Sequence, residues 1–136
     1  MGTCLFVAAG DDFRVDEFLK SSTFKPMRVF HKGDIPPKDN PLRERRPDSG
    51  FALLVGDDPD QEDLSGQIPV ALDFLLKNKD EILRTRKLGA EDLMLDFGFV
   101  PGQAMQSSVH LPPNLIMTLG LLDMGIVFSV IQLPRG

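Results

Sequence analysis

The sequence predicts a single α+β domain in which a mixed or mainly antiparallel sheet carries helices on one face. Residues 93–100 alternate large apolar side chains with smaller or polar ones, which gives a strand one apolar face. Residues 113–124 predict a helix that Pro112 and Pro113 open and Gly125 closes, and residues 126–133 predict the strand that follows it. The chain of 136 residues has the length of one domain, so we expect residues 1–136 to fold together.

The first elements form a βαβ unit. Residues 3–8 are apolar and rich in strand formers, and Gly10, Asp11 and Asp12 predict a turn whose aspartates cap a helix. Val15, Phe18 and Leu19 then lie on one side of a short helix that ends near residues 21–22. Residues 25–32 predict the second strand.

Residues 33–49 form the only long irregular segment that we predict inside the domain. Four prolines among charged residues exclude a helix or a central strand there. A loop of this length in a small domain is often functional or mobile.

A second βαβ unit begins with a strand at residues 50–56, bounded by glycines. Apolar residues at helical spacing predict one long helix over residues 64–88, with Gly89 as its stop. Pro69 leaves two alternatives. Either the helix begins near Ser65 with Pro69 in its first turn, or Asp60 caps it and Pro69 kinks it. We favour the kink, because Leu64 already belongs to the apolar stripe.

The predicted order is therefore βαβ–βαβ–(β)αβ, where the bracketed element is a short strand at residues 104–109. A ferredoxin-like or doubled βαβ arrangement is the first candidate for the topology.

Composition excludes several classes of function as the default. The net charge of −5 argues against nucleic acid and anionic membranes as partners. The apolar stretch within residues 115–131 is interrupted by Gly120, Asp123, Gly125 and Ser129, so we expect no membrane span. The single cysteine cannot form an internal disulfide, and no signal peptide is apparent, which favours a cytoplasmic protein.

Catalytic and metal-binding signals are weak. Cys4 lies in an apolar strand, where a free cysteine is usually a small core residue, so a pair with His31 or His110 is disfavoured. The acidic tract at residues 57–63 fails as a calcium loop, since Asp63 replaces the required glycine and Pro69 the bidentate glutamate. We therefore predict no metal and no cofactor, and the sequence identifies no catalytic residue.

Five residues are the candidates for binding. Arg43, Arg45 and Arg46 make the long loop basic in an acidic protein, although solvated loop charge explains them more simply. Asp96 interrupts one apolar strand, and Ser129 interrupts the last strand in the same way. If these strands are neighbours, both residues could lie on one open face of the sheet. His110 is the fifth candidate.

Several short stretches resemble a family of small uncharacterised bacterial single-domain proteins. They are Ser49-Gly50-Phe51, Gln67-Ile68, Leu95-Asp96-Phe97-Gly98, Leu111-Pro112-Pro113 with Leu115, Gly125-Ile126, and Lys32-Gly33. This group contains a domain of unknown function, and some of its members have been proposed as immunity-type proteins of toxin systems. The resemblance spans nearly the whole chain and implies a bacterial cytoplasmic setting, but it supplies no catalytic residue.

We therefore predict a non-catalytic binding or protein-interaction module, with an immunity-type inhibitor as one form of it. The alternative is a small enzyme that uses Asp96 with His110 or His31 in a pocket beneath the 33–49 loop. The partner is predicted to be another protein or a second copy of the chain. The helix at residues 113–124 is apolar on more than one face, so this helix or the strand at 126–133 would form the homodimer contact.

Overall fold

A five-stranded mixed sheet with helices on one face forms the protein. The computed structural model describes residues 2–35, 44–56, 64–99 and 109–130. In chain order the elements are β1 (Thr3–Gly10), α1 (Val15–Lys20), β2 (Arg28–Phe30), β3 (Ser49–Leu54), α2 (Leu64–Lys77), α3 (Lys79–Lys87), β4 (Asp92–Phe99), α4 (Pro113–Leu121) and β5 (Gly125–Val130).

The strands lie in the order β2-β3-β1-β4-β5. The pairs β2–β3, β3–β1 and β1–β4 are antiparallel, whereas β4 and β5 are parallel and are joined through α4. The predicted α+β class and mixed sheet are confirmed, while the ferredoxin-like arrangement stays a prediction. The short strand expected at residues 104–109 falls almost entirely outside the described residues, and Val109 itself belongs to no strand.

The alternation in β4 has the predicted consequence. Leu93, Leu95 and Phe97 are buried on the face that the helices cover, and Phe99 packs against the same core at its edge. On this face Phe18 of α1 stacks on Phe51 of β3 with 5.5 Å between the ring centroids. Because successive strand residues point to opposite faces, Met94 and Asp96 lie on the other side of the sheet.

The core on the helix side is rich in phenylalanine. Six of the ten phenylalanines form one network of ring contacts: Phe6, Phe13, Phe18, Phe24, Phe51 and Phe74. Phe has no polar atom that would need a partner in a dry interior, so the whole ring can be buried without a hydrogen-bonding cost.

The prediction of one long helix over residues 64–88 is wrong, because the helix is interrupted at Asn78. The backbone there is not helical (φ −114°, ψ 19°), and the Asn78 side chain donates a hydrogen bond to the carbonyl oxygen of Phe74 at 2.9 Å. An asparagine side chain that bonds the backbone in this way competes with continued helix. Pro69 does lie inside α2, whereas Asp60, its expected cap, lies outside the described residues.

The end of α4 also differs from expectation. The helix stops at Leu121 instead of continuing to Met124, because Asp123 adopts the left-handed conformation (φ 54°) that ends a helix. Aspartate is one of the few non-glycine residues that tolerate this region. Gly125 therefore opens β5 instead of closing the helix.

Strand β2 and the start of helix α1 also differ from the sequence prediction. Residues 25–32 form a strand only over Arg28–Phe30. The aspartates at positions 11 and 12 do not cap α1, which is preceded by Arg14 without a side-chain cap. The Arg14 amide instead donates to the carbonyl oxygen of Leu88 at 2.9 Å, so a long-range contact fixes the start of this helix.

Candidate functional site

Two of the three loop arginines lie within the described residues and differ in their surroundings. Arg43 lies outside the described residues, and Arg45 is exposed. The Arg46 guanidinium stacks over the ring of Phe30 at 3.8 Å and lies 3.2 Å from Oδ1 of Asp48. Its backbone amide donates to the carbonyl oxygen of Asp34, and its own carbonyl accepts from the Gly33 amide. Arg46 is therefore a structural residue that closes the base of the loop, and the expectation that it is a solvated loop charge is wrong.

His31 lies between two carboxylates. Its Nε2 atom is 3.0 Å and 3.1 Å from the two carboxylate oxygens of Asp16 on α1, and its Nδ1 atom is 3.8 Å from Oδ2 of Asp34. The hydrogen bond with Asp16, followed by the negative charges of Asp16 and Asp34, raises the pKa of His31 above its ordinary value of 6.5, although slight burial opposes the shift. This cluster joins α1 to the base of the loop.

We expect the midpoint of the His31 titration, followed by NMR, to lie above 6.5 and to fall in the Asp16→Asn variant. A raised pKa in the folded state means that the stabilisation from protonated His31 is present below pH 6.5 and is lost as the pH rises through the raised midpoint. The free energy of unfolding should thus decrease slightly as the pH rises from 6.5 through the raised pKa of His31, and the decrease should be smaller in the Asp16→Asn variant. Equal His31 midpoints in the two proteins would show that Asp16 does not control the imidazole.

Asp96 lies on the sheet face opposite the helices. Its register partners are Leu5 on β1 and Val127 on β5, and Ser129 points to the same face, as expected if β4 and β5 are neighbours. The Oδ1 atom of Asp96 is buried, and no described residue forms a hydrogen bond with it.

Cys4 is a buried thiol in β1. Burial, followed by the negative charge of Asp96, raises its pKa to about 12. The expected burial is thereby confirmed. The expected lack of reactivity stays a prediction, and the raised pKa supports it, since the thiolate is the reactive form.

His31 is far from Asp96. His31 follows β2, which lies three strands from β4, so the two backbones are about 14 Å apart at roughly 4.8 Å per strand. His31 also contacts α1 on the helix side, whereas Asp96 points to the opposite face. The described residues therefore bring no His31–Asp96 pair together.

His110 is exposed and lines an open groove of about 340 Å³. The other lining residues belong to the start of α2 and to the segment before α4: Leu64, Ser65, Ile68, Pro69, Val109 and Pro112. This groove lies on the helix side, so Asp96 does not line it, and the residues described at the base of the 33–49 loop do not line it either. Within the described ranges, no three His, Cys, Asp or Glu residues are placed to hold a metal ion.

Exposed apolar side chains are concentrated in α4 and β5. We call Ile116, Met117, Leu121, Val127, Phe128 and Val130 the α4–β5 edge; their exposed fractions are 54%, 65%, 72%, 36%, 45% and 54%. The opposite side of α4 carries Leu115 and Leu119, which are buried in the core. The helix thus has apolar residues on both its inner and its outer side, as its sequence indicated.

Comparison with known protein families assigns the chain to one of them. The family model of a domain of unknown function, DUF4279, matches residues 2–133. The chain belongs to the DUF4279 family. Membership confirms the expected relation to a family without an assigned function, and it adds no residue role. No curated protein and no solved structure matches the chain.

None of the helices in the described part of the chain combines the length and the apolarity needed to cross a bilayer.

Proposed function

We propose that this protein is a non-catalytic protein-interaction module that binds another polypeptide through the α4–β5 edge. The single observation that carries the proposal is the concentration of exposed apolar side chains there. Half of the twelve large apolar residues that are exposed in the described structure lie between Ile116 and Val130. Exposed apolar surface of this extent typically marks a contact with a protein or a membrane.

The charge of this surface favours a protein as the partner. Residues 113–130 contain one charged residue, Asp123, although the chain as a whole is 26% charged. A helix that binds at a membrane surface usually carries lysines and arginines on its polar face, and α4 has none. The core of a protein interface, by contrast, is depleted in charged residues.

An immunity-type inhibitor is one form of this proposal, in which the bound polypeptide would be a bacterial toxin. The family resemblance suggests this form. The unpaired, buried Cys4 is compatible with a reducing cytoplasm, where such a protein would meet its partner.

Site-specific photo-crosslinking tests the proposal. A photoreactive amino acid at position 117, which is 65% exposed on α4, should form an adduct with a polypeptide in cells that express the gene naturally. Position 76 on α2 is the matched control, since Leu76 is 60% exposed and lies outside the α4–β5 edge. Adducts that are equally abundant at both positions, or absent from both, would contradict the proposal.

A further inference from the structure

The two edges of the sheet differ in how they are protected from pairing with another strand. The edge strand β2 has three residues, and exposed cations at Lys25, Arg28 and Lys32 lie on it or beside it. Short length and positive charge are common devices that prevent edge-to-edge association. This edge is therefore built to remain unpaired.

Within its own six residues the strand β5 has none of these devices, although Asp123 lies two residues before it. Among the described residues it pairs with β4 on one side and with no strand on the other. Its six residues include no charge and no proline, and its register with β4 runs without a bulge from Gly125 to Val130. In an edge strand the backbone N–H and C=O groups of alternate residues point away from the paired strand, so within the described structure β5 offers a template for a further strand.

We propose that the strand added to β5 is β5 of a second copy of this chain, so that two sheets join into one of ten strands. This inference rests on the proposed function and names the partner for the same edge. An antiparallel pair of identical strands satisfies two-fold symmetry by itself, because each strand offers the other the same donors and acceptors.

Charge at the α4–β5 edge does not oppose a second copy as the occupant. Two molecules that each carry a net charge of −5 repel each other over most of their surfaces. The α4–β5 edge itself carries no charged side chain, so two copies can meet there without direct repulsion. A strongly acidic or basic partner would find no complementary charge at this edge.

The apolar area reaches the lower limit for a specific interface. Val127 lies on the sheet face opposite α4, so five residues of the edge share the helix side. If a fully exposed apolar side chain offers about 150–200 Å², these five present roughly 400–600 Å² per copy. Two copies would together cover about 900–1,200 Å², at or just below the lower end of the range for specific interfaces.

Symmetry, together with an axis near the centre of β5, leaves two choices of register. A two-fold axis normal to the sheet keeps every side chain on its own face, and opposed residues of an antiparallel pair share a face. One residue must therefore lie opposite its own copy at the axis, and the centre of β5 offers Val127 or Phe128. The same axis places both α4 helices on one face of the joined sheet, where Met117 and Leu121 of the two copies can pack together.

Sedimentation equilibrium of the purified full chain is the first test. The expected mass is twice the 15.1 kDa of the chain at micromolar concentration. Because Met117→Lys with Leu121→Lys would bury a charge in the contact, the double variant should weaken the dimer at least about tenfold. Leu76→Lys, an exposed change on α2, should leave the mass unchanged. A monomer at all concentrations would overturn the inference, as would a dimer that the double variant does not weaken.

Single cysteines test the strand pairing. Val127→Cys and Phe128→Cys should be joined rapidly between copies by a short bismaleimide, and faster at whichever position lies on the axis. Val29→Cys, on the protected edge, should react slowly, and the buried Cys4 of the parent should not react. Rates at 127 and 128 that equal the rate at 29 would exclude pairing through β5.

The photo-crosslinking result separates this inference from the function on which it rests. An adduct at position 117 with a different polypeptide, together with a monomeric purified chain, would leave the proposed function standing and refute the homodimer. An adduct with the chain itself would support both.

Discussion

Replacement of Phe51 by alanine is expected to lower the free energy of unfolding by about 3–5 kcal/mol, because it empties the centre of the aromatic core. The ring is fully buried. Its centroid lies 5.8 Å from Phe6, 6.1 Å from Phe13, 5.5 Å from Phe18 and 6.2 Å from Phe24. These neighbours come from different elements, so they cannot all move inward to fill the cavity.

Urea unfolding at a fixed protein concentration measures the change. Phe51→Leu should lose roughly half as much free energy, since leucine keeps most of the apolar volume but not the ring contacts. Leu76→Ala, at a 60% exposed position, should lie within about 0.5 kcal/mol of the parent. A Phe51→Ala protein within 1 kcal/mol of the parent would show that the core repacks around this position.

The sequence was most informative where structure depends on near neighbours in the chain. Alternation in β4 predicted which of its residues are buried, because the period of two is a property of the strand backbone alone. Pro112 and Pro113 likewise predicted the start of α4 correctly, since proline fixes the backbone of the first helical turn. The surplus of apolar residues on α4 also indicated the surface that we propose for binding.

Competition between local signals limited the rest of the fold prediction. The apolar stripe of residues 64–88 has helical spacing on both sides of Asn78, so periodicity could not reveal the break that this side chain makes. At the end of α4, glycine is the commonest residue for a left-handed helix end, so the sequence predicts that Gly125 ends the helix. Asp123 adopts that conformation two residues earlier.

Long-range pairing limited the prediction of the site. Arg46 contacts Phe30 and pairs with the backbone of Gly33 and Asp34, residues that are 12 to 16 positions away in the chain. Nothing in the composition of the loop distinguishes Arg46 from Arg45. The separation of Asp96 from His31 similarly follows from the strand order, which no local pattern encodes.

Alanine at position 50 is expected to destabilise the protein by about 1–3 kcal/mol, because the sheet leaves no room for a methyl group there. A Cβ atom on Gly50 would lie 2.2 Å from the carbonyl oxygen of Ala8 and 2.8 Å from the ring of Phe30. The Phe30 ring cannot easily move away, since the Arg46 guanidinium stacks on it at 3.8 Å. The neighbouring backbone would have to shift instead, at the cost of hydrogen bonds between β1 and β3.

Gly120→Ala is the matched control for Gly50→Ala, and it should change stability in the opposite direction. Gly120 lies inside α4, and apart from its chain neighbours and the nearby backbone of its own helix, no atom of the described residues stands within 4 Å of the position that its Cβ would take. Alanine there should stabilise the helix by roughly 0.5–1 kcal/mol, since it reduces the conformational freedom of the unfolded chain without a steric cost. Thermal unfolding of the parent and of each variant at equal protein concentration measures both changes in stability. A Gly50→Ala protein as stable as Gly120→Ala would mean that β1 and β3 separate far enough to admit the methyl group, and the close approach at Gly50 would then not constrain the sheet.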